Sequence, residues 1–256
     1  MGAGGGARGV LRRLRGANGP GVRVSLVGAG PGALDLLTLR ARDRLLEADA
    51  VVYDRLVAPE VIALAPASAE RFDVGKGPGD SHRQAFINEL LVELSARHER
   101  VVRLKGGDPF IFGRGAEEVE VLRARGVEVE IVPGLSSLLS APALAGIALT
   151  TRGVSRRVAL VSAVGEGGEP TPVGDLATHV DTLVVAMGSG RRREIAEELR
   201  AAGLELETPV ASVEWASWPD QRVRWGTLEE LGDWTGRAPA VLVVGDVARG
   251  VEGARE

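Results

Sequence analysis

Val24-Ser25-Leu26-Val27-Gly28-Ala29-Gly30-Pro31-Gly32-Ala33 runs from a β-branched apolar stretch into a glycine-rich turn, and an amphipathic helical pattern follows over Leu34–Ala48. Strand, glycine turn and helix in that order make the first half of a βαβ unit. The pattern recurs along the chain. Apolar runs at Ala50–Tyr53, Arg100–Leu104, Val127–Val132, Val158–Ser162, Thr182–Met187 and Val241–Val244 each end in glycine or a polar loop. Helical patterns lie between them at Arg83–Ala96, Glu117–Arg125, Arg191–Ala202 and Thr227–Leu231. The runs are continuous rather than alternating, which predicts strands buried on both faces of a mostly parallel sheet and an α/β fold class. Arg222–Gly226, with Trp215, Trp218 and Trp225 around Pro219, reads instead as an antiparallel hairpin.

Ile131–Thr151 carries no charge and is just long enough to raise the question of a membrane span. Pro133, Gly134, Pro142 and Gly146 make it a poor one, and a buried connector between two domains fits better. The boundary therefore falls within 132–140. This predicts an N-terminal α/β domain at 21–135 and a C-terminal α/β domain at 136–250, with a lead-in at 1–20 and a tail at 251–256. The lead-in holds Arg8, Arg12, Arg13 and Arg15 but no apolar core of a signal peptide, so the chain reads as cytoplasmic.

Composition narrows the chemistry. Hydrophobic residues at 45% and charged residues at 26% describe a folded chain, and a net charge of −4 leaves no overall basic footprint for nucleic acid. The absence of cysteine excludes disulfides, iron–sulfur clusters, zinc ribbons and a thiol nucleophile. His82, His98 and His179 are far apart, so no metal site is expected. The motifs of P-loop kinases, α/β-hydrolases and zincins are missing.

Ligands of open α/β sheets sit at the carboxyl ends of the strands, so the loops after the apolar runs are the candidates. Gly28–Ala33 matches a dinucleotide-binding fingerprint formally, but Pro31 removes an N–H where phosphate needs a donor. A tight turn that lets a small ligand approach the backbone ranks above a nicotinamide site. Only two basic residues are lysine, Lys76 and Lys105, and both lie beside glycines. Gly106-Gly107-Asp108-Pro109-Phe110-Ile111-Phe112-Gly113-Arg114-Gly115 combines paired glycines, a carboxylate and an apolar wall. A ligand site is favoured there over a plain loop with Asp108 capping the next helix. Tyr53-Asp54-Arg55 offers two equal readings, a surface ion pair or a carboxylate held at the sheet mouth, with Lys76 as a candidate partner of opposite charge.

Taken in order, these loops resemble the uroporphyrinogen-III C-methyltransferase family, part of the wider tetrapyrrole methylases that use S-adenosylmethionine (SAM). The matching stretches are Val24–Gly32, Leu36–Leu56, Gly75-Lys76, Val101–Gly115, Val132-Pro133-Gly134, Ala145-Gly146-Ile147, Thr182–Gly188 and Asp220–Leu228. The resemblance implies two α/β domains with SAM in the cleft between them, usually in a homodimer. It implies methylation of uroporphyrinogen III at C2 and C7 to give precorrin-2, for sirohaem and cobalamin. Carried over by position, the SAM contacts are Pro31, Gly106, Gly107, Asp108, Ile111, Ser136, Ser137, Met187, Ala216 and Ala240. Asp54 takes the place of the family's proton acceptor and Lys76 that of its proton donor. Uroporphyrinogen carries eight carboxylates, for which Arg55, Lys76, Arg114 and Arg152 are the candidate partners. Gly77 stands where the family usually has Arg, and Thr151 where it has His; both changes bear on the acceptor. The alternative is a related SAM-dependent methyltransferase acting on another electron-rich heterocycle, such as a different corrinoid intermediate or an indole-type ring.

Overall fold

The computed structural model describes residues 22–75 and 81–251. The lead-in 1–20, Lys76 with Gly77, and residues 252–256 of the tail lie outside the described residues. The chain divides into two compact units, Met1–Leu135 and Ser136–Glu256.

In the first unit, β1 (Val22–Gly28), β2 (Ala50–Tyr53), β3 (Glu70–Asp73), β4 (Val101–Lys105) and β5 (Glu128–Val132) form one sheet in the order β3-β2-β4-β1-β5. All four pairings are parallel, as the continuous apolar runs predict. The registers Gly28↔Lys105 and Tyr53↔Leu104 bring the carboxyl ends of β1, β2 and β4 level. The helices are α1 (Leu39–Leu46), α2 (Pro59–Ile62), α3 (Ser81–Arg97) and α4 (Gly115–Ala124). Ile87, Leu91 and Leu94 of α3 and Leu122 of α4 close over Val24, Ala50, Val52 and Val101.

Two local readings change. The helix expected over Leu34–Ala48 is interrupted: a 3-10 turn covers Leu34–Leu36, Leu37 is extended, and α1 begins behind the Thr38 cap. Thr38 Oγ1 accepts the Ala41 N–H at 3.2 Å, which makes Thr38 a better helix start than any apolar neighbour. The strand β3 gives no apolar signal, because its Glu-Arg-Phe-Asp sequence lies at the sheet edge, where charged side chains meet water.

The second unit holds β6 (Val158–Ser162), β7 (Thr182–Ala186), β8 (Pro209–Glu214), β9 (Arg222–Thr227) and β10 (Ala240–Val244), ordered β6-β7-β10-β8-β9. Here the expectation of a mostly parallel sheet is corrected. Only β6 and β7 are parallel; β7–β10, β10–β8 and β8–β9 are antiparallel. Arg222–Gly226 does pair antiparallel, within β9. The physical reason is that a strand covered on both faces needs a continuous apolar run whichever way it points. One face carries α6 (Gly174–Ala177), α7 (Arg192–Ala201) and α8 (Leu228–Leu231), with Ile195, Leu199, Leu228 and Leu231 fully excluded from water. The other carries α5 (Ser137–Leu144), whose Leu138 and Ala141 pack with Val184, Val241 and Val243. So the uncharged connector contains a helix of eight residues. Among the described residues no helix is long and apolar enough to cross a membrane.

Candidate functional site

Four glycines bind the strand ends of the first unit into one backbone floor. Ala29 N donates to Lys105 O (2.7 Å), Gly30 N to Gly107 O (3.1 Å) and Gly107 N to Gly30 O (2.8 Å). A Cβ on Gly28 would lie 2.6 Å from Gly107 O and from the Gly134 backbone. The chain therefore crosses itself where only glycine fits. This use of the Gly28–Ala33 turn argues against a dinucleotide site: its Ala29 and Gly30 N–H groups are spent on β4 and its loop, and the α-helix starts only at Leu39.

Asp108 stitches the same floor. Its Oδ1 accepts Phe110 N at 2.9 Å and its Oδ2 accepts Gly134 N at 3.1 Å, so it ties the loop after β4 to the loop after β5. It does not cap α4, whose N-terminal position is Arg114 in a left-handed conformation (φ 56°). Gly106 is exposed, and a Cβ there would meet only Leu56 Cβ at 3.9 Å, so its backbone face is open to a ligand. Phe110 and Ile111 stand exposed beside it.

Asp54 follows β2 at the same edge, and its partner is not Arg55. Arg103 Nη2 donates to Asp54 Oδ1 at 2.6 Å, while Arg103 Nε donates to Glu118 Oε1 at 3.1 Å. Lys105 Nζ (3.0 Å) and Gln84 Nε2 (3.2 Å) donate to that same Glu118 oxygen. Arg103, Lys105 and Glu118 are 1%, 3% and 0% exposed. Two cations and two carboxylates thus compensate one another inside the sheet, as buried charge requires. Burial, reinforced by the adjacent Arg103, pulls the Lys105 ammonium below its ordinary value, against the attraction of Glu118. For Arg103, burial opposes the charge but Asp54 and Glu118 outweigh it, raising its value. Sequence reading missed Arg103, Glu118 and Gln84 as site residues. The signal was available for Arg103, a charge in the middle of a strand that reads as buried on both faces.

Of the remaining first-unit candidates, Pro31 lies in the turn after β1 and Arg55 is exposed after β2. Gly75, the last described residue before the candidate Lys76, packs on the Arg55 backbone. Arg114 is engaged by Glu117 through two hydrogen bonds of 2.7 and 2.8 Å. A hollow of about 630 Å³ opens at the ends of β2 and β3, lined by Asp54, Arg55, Arg71 and Asp73 among others.

In the second unit, Met187 follows β7, Ala216 follows β8 and Ala240 begins β10. The registers Val241↔Ala186 and Ala240↔Glu214, with Trp215 N donating to Pro239 O (3.0 Å), bring these three to one end of the sheet. Met187 and Trp215 are left-handed (φ 56° and 50°), a strained backbone for side chains of that size. Ser136 caps α5 by accepting Leu138 N at 3.4 Å, and Ser137 opens that helix, exposed. Arg152 lies in the exposed turn that Thr151 and Ser155 close, away from the Met187 end in sequence and element. Among the described residues no three His, Asp or Glu side chains are grouped to hold a metal ion.

Comparisons with known proteins point the same way. A siroheme synthase of Pseudomonas aeruginosa (strain UCBPP-PA14) is 44% identical over 245 residues, covering 91% of this chain and 53% of that protein. The chain thus spans about half the length of such curated relatives. A uroporphyrin-III C-methyl transferase from Thermus thermophilus, complexed with S-adenosyl homocysteine, superposes with a TM-score of 0.79 at 48% identity, covering 89% of this chain and 99% of that one. A cobalt precorrin-4 methyltransferase superposes at 0.78 with 30% identity over 88% of this chain and 95% of its own. Residues 23–232 match the family described as tetrapyrrole (corrin/porphyrin) methylases, and with the parallel first sheet and its glycine floor accounted for, the chain belongs to that family.

Proposed function

We propose that the protein is a SAM-dependent C-methyltransferase that converts uroporphyrinogen III to precorrin-2 by methylation at C2 and C7. The observation that carries this reading is the carboxyl end of the first sheet, where Asp54 and Arg55 follow β2 and the open backbone of Gly106, with Asp108, follows the neighbouring β4, ahead of Arg114 at the start of α4. The Thermus uroporphyrin-III enzyme that this chain resembles at 48% identity binds S-adenosyl homocysteine, the demethylated form of the donor.

Bound SAM supplies an electrophilic methyl group. Gly106 accommodates it because its backbone face is open, and Asp108 sets the shape of that floor through Phe110 N and Gly134 N. The family resemblance adds Met187, Ala216, Ala240, Ser136 and Ser137 as further cofactor contacts. Asp54 acts beside the pyrrole carbon: its carboxylate steadies the positive charge that develops there and accepts the proton released elsewhere on the macrocycle, since the methylated carbon itself carries no hydrogen. Lys76 is the proton donor. Arg55, Arg114 and Arg152 meet the carboxylates of the acceptor; the exposed Arg114–Glu117 pair exchanges partners at little cost. The enzyme works in the cytoplasm as a homodimer.

Anaerobic incubation with SAM and freshly generated uroporphyrinogen III, read by mass spectrometry, tests the reading. A dimethylated tetrapyrrole is expected. SAM binding with an unmodified tetrapyrrole, followed by turnover on another corrinoid or an indole-type ring, would transfer the activity to the alternative acceptor class.

A further inference from the structure

A carboxylate that acts on a carbon must be held still, and Asp54 is one-third exposed at a loop, where water and rotamer freedom work against this. Among the described residues, the side chain that hydrogen-bonds it is that of Arg103. Arg103 is in the middle strand, 1% exposed, with its guanidinium turned along the sheet toward Asp54. One edge of that guanidinium reaches Asp54 Oδ1 (2.6 Å), another reaches Glu118 Oε1 (3.1 Å), and Nη1 approaches Leu104 O at 3.3 Å. Glu118 is anchored in turn by Lys105 and Gln84.

The cluster is asymmetric in a way that mere charge compensation does not explain. Three donor groups converge on Glu118 Oε1, whereas Oε2, equally buried, has no hydrogen-bond partner among the described residues. A cluster built only to neutralise charge would spread its donors over both oxygens. Here Glu118 is pinned in one orientation, and Arg103 is consequently pinned in one direction, toward Asp54.

We propose that Arg103 is the positioning residue for Asp54, with Glu118, Lys105 and Gln84 as the buried clamp that aims its guanidinium. This rests on the assignment of Asp54 to the reaction given above. All four residues are buried, behind Asp54 rather than on the open face. Arg is required rather than Lys because only a planar fork donates to two carboxylates in fixed, divergent directions.

The test is a double-variant cycle with Arg103→Lys and Asp54→Asn in the full chain, reading kcat and KM for the tetrapyrrole, SAM affinity by calorimetry, and thermal unfolding. Arg103→Lys keeps the buried charge, so the protein folds. It is expected to lower kcat roughly tenfold to a hundredfold, the loss that misplacing a reacting group brings. SAM affinity and KM stay within about twofold, since the cofactor floor and the basic contacts are intact. In the Asp54→Asn background the same substitution is expected to change kcat less than twofold, because there is no longer a carboxylate to aim. A crystal structure of Arg103→Lys is expected to show the Asp54 carboxylate moved from its wild-type position. Losses that multiply in the double variant, or an Asp54 carboxylate unmoved in that structure, would overturn the positioning role while leaving Asp54 in the reaction. Full turnover by Asp54→Asn alone would remove Asp54 from the reaction, and the positioning role with it.

Discussion

A methyl group added at Gly28 meets Gly107 O, Gly134 Cα and Gly134 N, each at 2.6 Å, and every one of these atoms is backbone. No side chain can swing aside, so Gly28→Ala forces three strand ends apart. The expected cost exceeds the roughly 1–3 kcal/mol of ordinary overpacking, read as a large fall in midpoint temperature or loss of soluble protein. A wild-type melting curve would show that the strand ends are not packed as described. Asp108→Ala removes an acceptor from two backbone N–H groups at once. It should destabilise by about 1–3 kcal/mol in urea titration and weaken SAM binding in the same variant. Unchanged SAM affinity would separate Asp108 from the cofactor floor. The value of Gly28, Gly107 and Asp108 was visible in the sequence as an unusual loop composition. What they grip was not, because Gly107 and Gly134 belong to different loops that only the sheet brings together.

Turn and cap chemistry governs the elements. Asp181, at the entry to β7, accepts Arg156 N (2.8 Å), Arg157 N (2.9 Å) and the Arg157 guanidinium (2.8 Å), joining the start of β6 to β7. The Arg157 side chain and these two N–H groups hold the Asp181 carboxyl well below the usual carboxylate range. A folded-state value below the unfolded one adds stability that is fully present above about pH 4 and fades as pH falls toward the folded value. Asp181→Asn should therefore lower the midpoint temperature at pH 7, and the gap to wild type should narrow below pH 4. A gap that stays constant with pH would mean the ion pair contributes nothing beyond its hydrogen bonds. Element positions were largely legible, since burial and helix periodicity are local properties. Strand direction was not. The Val241–Val244 run looks like a parallel strand but lies antiparallel between β7 and β8, because burial on both faces demands the same residues either way.

At the scale of the whole molecule, a chain of net charge −4 is proposed to take an octa-anionic acceptor, so attraction must come from local arginines against an overall repulsion. Screening then weakens the local attraction, and KM for the tetrapyrrole should rise as salt goes from about 0.05 to 0.5 M, with kcat little changed. Substituting Arg55 by Ala should flatten that dependence; an unchanged slope would remove Arg55 from the acceptor contacts. The α/β class, the strand runs and the glycine loops could be read along the chain, because each reflects burial or turn geometry within a few residues. The partner of Asp54 could not. Arg103 is 49 residues away and meets it only because β2 and β4 lie side by side with Tyr53 opposite Leu104. Adjacent in sequence, Arg55 offered an ion pair as one of two equal readings; the register between strands sets a buried guanidinium against Asp54 instead. Linear order carries the pattern of burial, whereas the pairing of charges follows from which strands become neighbours.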